Sequence, residues 1–159
     1  METNLPGKHV SDSVTEHIEI VMANHLNGSG RLFGGQLAAW IDMVGAVAAR
    51  RHCNRDVTTA AIDNLQFREA VYQNELVVLR AKVSYVGRTS MEVRVDSFVE
   101  DLAGERKLVN IAYLTEVALD ENDRPTPVPP LLCETMQEKA EFEAGKKRRE
   151  LRKTHNSYL

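Results

Sequence analysis

Asn27-Gly28-Ser29-Gly30-Arg31-Leu32-Phe33-Gly34-Gly35-Gln36-Leu37-Ala38-Ala39-Trp40-Ile41-Asp42 runs from a polar, glycine-rich loop into an apolar segment, Leu37 to Ala49, whose only ionisable side chain is Asp42. Alanine, leucine and valine on every side predict a helix buried all round, because a surface helix shows one polar face. A carboxylate in such surroundings loses much of its hydration unless it is paired, hydrogen-bonded or protonated, and desolvation raises its pKa toward the range useful to a general base. Asp42 is therefore a functional candidate on physical grounds alone.

The glycines supply the complement. A Gly-Gly pair where a loop becomes a helix lets the backbone approach a ligand closely, and the first N–H groups of a helix lack partners within it. They also carry the positive end of its dipole, so they can receive an anion or a developing oxyanion. Gly35 and Asp42 are two turns apart, near one face at roughly 10 Å axial separation. The competing reading is a core helix with a glycine-rich turn and a satisfied, buried aspartate.

Asn27-x-x-Gly30-x-x-Phe33-Gly34-Gly35, followed by an acidic residue at Asp42, resembles the signature of hotdog-fold acyl-CoA thioesterases. Val86-Gly87-Arg88-Thr89-Ser90-Met91 resembles the family's Val-Gly-Arg-Thr-Ser segment, and the match extends from Val14 to Val117. The resemblance implies an α+β hotdog fold, an antiparallel sheet wrapped around a long central helix, with two subunits joining their sheets and active sites at the interface. It implies an oxyanion site at Gly35 and Gln36 beside Gly34, Asp42 as general base or nucleophile, and Asn27 of the other subunit facing the carbonyl. Arg88, Thr89 and Ser90 would stand at the CoA mouth, where a cation, hydroxyls and backbone N–H groups can converge on phosphate. A family stretch that usually reads aromatic-x-x-Pro-Val and then Gly-Asp is altered here, with Ala70 for the proline and Asn74-Glu75 for Gly-Asp. That alteration bears on the local loop shape and leaves Asn27 and Asp42 untouched.

The 159 residues suit one domain, and 43% hydrophobic residues suffice for one core. A net charge of -3 gives no global basic field for nucleic acid or anionic membranes. Cys53 and Cys133 are isolated and the five histidines show no metal-ligand spacing, so no metal is expected, and no cofactor beyond the CoA of the substrate. Met1 to Gly7 carry neither a basic leader nor an apolar h-region, and no apolar run approaches the ~20 residues that span a bilayer. The expected location is the cytoplasm, or a similarly reducing compartment.

Residues 1–13 are polar, with Pro6 and Gly7, and predict a flexible tail. Residues 14–120 form the expected hotdog domain. A first strand over Val14 to Ala23 leads to the Asn27 loop, and the helix runs from Gly35 to about Cys53, ending in Arg50-Arg51-His52, cations suited to the negative end of its dipole. Trp40 suits either packing against the sheet or lining an acyl pocket. Thr58 to Phe67 is rich in β-formers. Glu75 to Val86 places Val77, Leu79, Ala81, Val83 and Tyr85 on one side, and Met91, Val93 and Val95 alternate with Glu92, Arg94 and Asp96. Asp101 to Gly104 is a hairpin candidate, followed by a strand through Val109 and Val117. Such a sheet with one helix exposes an edge strand, which a homodimer with a continuous sheet would remove; a trimer of dimers is compatible with this. Residues 121–159 read as a proline-rich linker, Pro125 to Pro130, and a charged helix over 133–153. Its acid-first, base-last order suits an ordinary solvated helix, or a basic end that meets CoA phosphates.

Two other functions fit the same fold. A hotdog dehydratase or hydratase needs a histidine paired with an acid, and Asn27 to Asp42 contains none. A non-catalytic acyl-CoA sensor of this fold would carry a DNA-binding helix-turn-helix, for which the leader ahead of Val14 is too short, and would not need Asp42.

Overall fold

One long helix lies along the inner face of a curled, five-stranded antiparallel sheet. The computed structural model describes residues 4–156. In chain order its elements are β1 (Lys8–His9), the one-turn helix α1 (Val10–Ser13), β2 (Thr15–Ile20), α2 (Gly34–Cys53), β3 (Asp56–Asp63), β4 (Leu76–Val86), β5 (Ser90–Glu100), β6 (Arg106–Leu119), β7 (Leu131–Leu132) and α3 (Met136–Asn156). The main sheet has the order β2-β4-β5-β6-β3, and β1 pairs with β7 in parallel.

The core lies between α2 and the sheet. Leu37, Ile41, Val44 and Ala48 of the helix meet Leu79, Val83, Val93, Val95 and Leu114 of the strands. Each such leucine or valine contributes about 1.5–3 kcal/mol when fully buried. Gly45 permits the closest approach, since a Cβ there would stand 2.9 Å from Leu114 Cδ2. Asn54, in the left-handed conformation, ends the helix and donates its N–H to the Arg50 carbonyl.

Four expectations change. The helix is not buried all round: Ala39, Met43, Val47 and Arg50 form an exposed stripe, with Met43 54% and Val47 39% accessible. Residues 8–13 are no loose tail, because Lys8 and His9 pair with Leu131 and Leu132, and the buried Ser13 hydroxyl accepts the Val83 N–H and donates to the Val10 carbonyl; residues 1–3 lie outside the described residues. Tyr85 does not share a side with Val83. An irregularity between them shifts the register, and Tyr85 turns to the outer face, where its ring meets Phe142 at 4.8 Å between centroids.

The fourth change is α3, which is docked rather than solvated. It covers the outer face of the sheet, with Gly145 so close that a Cβ would stand 2.7 Å from Tyr85 Cβ and 2.8 Å from Glu92 Oε1. Glu92, exposed in the alternating pattern of its strand, is buried beneath it, and Arg148 grips both its oxygens, at 2.9 Å through Nε and 2.7 Å through a terminal nitrogen.

Candidate active site

Asp42 sits in the third turn of α2, half-buried, beside the strand β3. Between Thr59 and Ala61 that strand carries an irregularity that leaves Ala60 unpaired, and Thr59 is held opposite Glu116 of β6. Three polar side chains therefore converge on the inner face. Thr59 Oγ1 stands 2.6 Å from Asp42 Oδ1 and 2.9 Å from Glu116 Oε1. Glu116 has no accessible surface, and its Oε2 has no partner among the described residues. Burial pushes its carboxyl up to about 7, against the pull of the Thr59 hydroxyl and with the neighbouring Asp42 charge adding to the rise. Sequence reading missed both Thr59 and Glu116. Periodicity could have found Glu116, since Ala112, Leu114, Glu116 and Ala118 occupy alternate, inward positions of one strand.

At the start of α2, Phe33 occupies the cap position and no side chain caps the helix. The N–H groups of Gly34 and Gly35 have no acceptor among the described residues. That of Gln36 donates to the Phe33 carbonyl at 3.0 Å, so the free donors are one residue earlier than the expected Gly35–Gln36 pair. Gly34 faces the Phe67 ring, and both line a cleft of about 380 Å³ with Asn27, Leu37, Arg68 and Val109.

Asn27 shapes its loop. Its Oδ1 accepts the N–H groups of Ser29 at 2.9 Å and Arg31 at 3.2 Å, and Gly30 takes the positive φ of 73° that closes the turn. Its amide Nδ2 has no acceptor among the described residues. Asp42 does not line the Asn27 cleft, so one chain does not bring the two together there.

Arg88, Thr89 and Ser90 form the turn between β4 and β5. Ser90 is paired with Val117 and Met91 with Glu116, which sets the turn one residue beyond the Thr59–Glu116 pair. The Gly87 N–H closes the turn on the Ser90 carbonyl at 2.8 Å. Beside it lies the Arg149 guanidinium of α3, whose Cζ would be 3.2 Å from a Cβ on Gly87. Neither Arg88 nor Arg149 has an acidic partner among the described residues.

The remaining candidates resolve as structure. Trp40 is buried, with the His25 ring edge-on at 5.0 Å. His52 is no cation for the helix end: burial pushes its imidazole down, and one ring nitrogen meets the Pro129 carbonyl at 2.8 Å. Burial pushes the Cys53 thiol up, away from nucleophilic use. Among the described residues no three His, Cys, Asp or Glu side chains group to hold a metal, and no helix is long and apolar enough to cross a membrane.

Comparison with known proteins agrees with this architecture. Residues 29–104 match the model of the thioesterase superfamily. The chain is 42% identical over 113 residues to the uncharacterized acyl-CoA thioester hydrolase YkhA of Bacillus subtilis, covering 70% of this chain and 66% of that protein. Of the longer acyl-coenzyme A thioesterase 11 and acetyl-coenzyme A thioesterase of Mus musculus it spans only 20% and 25%. An acyl-CoA hydrolase from Staphylococcus aureus, solved with butyryl coenzyme A, coenzyme A and coenzyme A disulfide, superimposes with a TM-score of 0.90 at 32% identity over 96% of this chain and 94% of that one. Variants of that hydrolase with an asparagine, an aspartate or a threonine changed to alanine have also been solved. A hexameric acyl-CoA thioesterase superimposes with a TM-score of 0.89 at 34% identity, over 98% of this chain and all of the other. On sequence, fold and superposition together, the chain belongs to the hotdog-fold acyl-CoA thioesterase family.

Proposed function

We propose that the protein hydrolyses acyl-CoA thioesters to CoA and a carboxylic acid, at sites shared between two copies of the chain. The observation that carries this reading is the split arrangement: Asp42, with Thr59, lies near the Arg88–Ser90 turn, while Asn27 and Gly34 line another cleft that Asp42 does not reach. The three positions altered in the S. aureus hydrolase are spaced along its chain as Asn27, Asp42 and Thr59 are here, which supports giving all three a place in the site.

In the proposed reaction the thioester carbonyl oxygen receives hydrogen bonds at a helix start, from Gly34 and Gly35, with Gln36 adjoining. Asp42 removes a proton from the attacking water, or attacks the carbonyl carbon itself, and Asn27 of the other copy offers its free Nδ2 to water or carbonyl. The new C–O bond forms, the C–S bond breaks, and the CoA thiolate takes up the proton released by water; where Asp42 itself attacks, the product is an anhydride on Asp42, which water then hydrolyses to the carboxylic acid and the free Asp42 carboxylate. Polarised carbonyl and activated water come from these side chains and amides, and CoA enters as substrate, so the proposal assigns no cofactor. Arg88, Thr89, Ser90 and Arg149 hold the CoA phosphates.

The partner is a second copy. The exposed stripe of Met43 and Val47 flanks Asp42, and among the described residues β3 is an edge strand of the sheet, both of which a homodimer would cover. A trimer of such dimers fits the hexameric relative. We place the protein in the cytoplasm, in keeping with relatives named as cytosolic acyl coenzyme A thioester hydrolases.

Subunit mixing tests the shared site. Asn27→Ala and Asp42→Asn should each fold and lose about two orders of magnitude or more of CoA-thiol release from acyl-CoA. Mixed in equal amounts with verified exchange, they should recover about a quarter of wild-type activity, because half the dimers are hybrid and half of each hybrid's sites are intact. Near-normal Asp42→Asn activity, or exchange without recovery, overturns the assignment.

A further inference from the structure

The Thr59 hydroxyl is within hydrogen-bond distance of two carboxylates, yet it has a single proton to donate. It serves one oxygen as donor; the other contact is a hydrogen bond only if the proton comes from the carboxyl side. Two ionised carboxylates sharing one hydroxyl would leave one close O···O contact without a hydrogen and two like charges beside each other. One of the two acids must therefore be protonated for both contacts to be bonds.

The surroundings choose which. Asp42 is half-buried and lies beside the exposed Met43. Glu116 is fully enclosed, and among the described residues its second oxygen has no donor and no cation pairs with it. The groups around it are Asp42 from α2, Thr59 from β3 and, as its paired neighbour on β5, Met91; Asp42 is the one charged group among them. A buried carboxyl with no positive neighbour and one negative one retains its proton longest.

We propose that Glu116 is a neutral carboxylic acid in the working enzyme and a positioning residue for Asp42: its proton goes to Thr59 Oγ1, which commits the only Thr59 proton to Asp42 Oδ1. The chain Glu116 O–H to Thr59 O–H to Asp42 carboxylate fixes the orientation of Asp42 and leaves its Oδ2 for water or the thioester carbon. Ionisation of Glu116 removes the donor, turns the Thr59 proton toward a contest between two anions, and sets a second negative charge beside the Asp42 carboxylate. The inference rests on Asp42 being the reacting carboxylate. It adds an acid that acts through Thr59 without touching substrate.

The test combines infrared spectroscopy with pH profiles of the full-length protein. A protonated-carboxyl C=O band should be present at pH 6, fade by pH 8.5, and be missing from Glu116→Gln. With an acyl-CoA substrate, wild-type kcat should fall as pH rises through the range in which that band fades. Glu116→Gln retains an N–H donor toward Thr59 and should lack that fall. Glu116→Leu, with no donor, should lose ~tenfold in kcat with little change in KM, and Glu116→Gln should recover most of the loss. A merely structural Glu116 would move stability and leave the pH profiles of wild type and Glu116→Gln superimposed, which overturns the proposal. So does absence of the band from the wild-type protein. The band and the Glu116→Gln profile decide the question even if Glu116→Leu does not fold. Absence of acyl-CoA hydrolysis by wild type would instead refute the proposed activity, with the band still reporting on Glu116.

Discussion

Glu92 and Glu116 occupy neighbouring strands, opposite faces of one sheet, and nearly the same burial, at 2% and 0% accessible. Their partners differ completely. Glu92 looks outward into α3, where Arg148 takes both oxygens, Ser84 donates to Oε1 at 2.7 Å, and Arg152 stands 3.9 Å away. Arg148 also reaches Glu141 at 3.1 Å and lies 3.8 Å from the centre of the Tyr113 ring, so the ion pair is one part of a larger clasp. Glu116 looks inward onto α2 and, among the described residues, has as polar neighbours a hydroxyl and another acid. A buried carboxylate with a bidentate cation is a fastening, whereas one without a cation holds its proton and becomes available to chemistry.

Breaking the fastening should have the largest effect. Arg148→Met leaves Glu92 enclosed and stripped of its bidentate partner, which should lower unfolding free energy by about 3–5 kcal/mol in urea titrations. Adding Glu92→Gln should restore much of the loss, since the uncompensated charge is then gone. If the double variant is as unstable as the single one, the loss comes from packing of α3 and not from the buried charge.

The inner glutamate should show itself in the pH dependence of stability. Its carboxyl is raised in the folded protein, so between the ordinary glutamate range and about 7 the native state retains a proton that the unfolded chain has released. Its contribution is full at low pH, declines as pH rises to about 7, and is flat beyond. Glu116→Gln has no such decline, so its stability relative to wild type should improve from pH 5 to pH 8 by on the order of 2–3 kcal/mol. A constant difference across that range would mean that Glu116 ionises alike in both states.

The contrast between the two glutamates also marks how far the sequence could be read. The glycine-rich loop, α2 and the long strands follow from local signals, namely turn residues, a run of small apolar residues, and alternation. Asp42 stood out because a carboxylate interrupts an apolar helix. Glu92 looked like the solvent side of a half-buried strand because alternation shows which residues share a face and not what covers that face; α3, distant in sequence, covers it. Strict alternation puts Tyr85 on the face of Val83, whereas an irregularity within β4 turns it to the other. Alternation within β6 shows Glu116 facing inward, but its link to Thr59 comes from the pairing of β3 with β6, a long-range register that no single segment encodes.

The smallest expected effect lies within α3 itself, where Arg148 and Arg149 are adjacent in sequence but not in role. Arg148 is committed to Glu92, Glu141 and Tyr113, while Arg149 stands at the Gly87 turn with no acid to pair with among the described residues. A half-buried guanidinium without an acceptor, next to Ser90 and one residue from Arg88, suits an incoming phosphate. Arg149→Ala should therefore leave urea unfolding within about 0.5 kcal/mol of wild type, as for a side chain with no fixed partner. It should raise KM for acyl-CoA roughly fivefold, the worth of about 1 kcal/mol at a partly screened charge pair, with kcat unchanged. Acyl-pantetheine thioesters, which lack the phosphates, should be hydrolysed equally by both proteins. Equal loss on the two substrates would make Arg149 part of the same fastening as Arg148, and the separation of a structural and a ligand-facing arginine on one helix would fail.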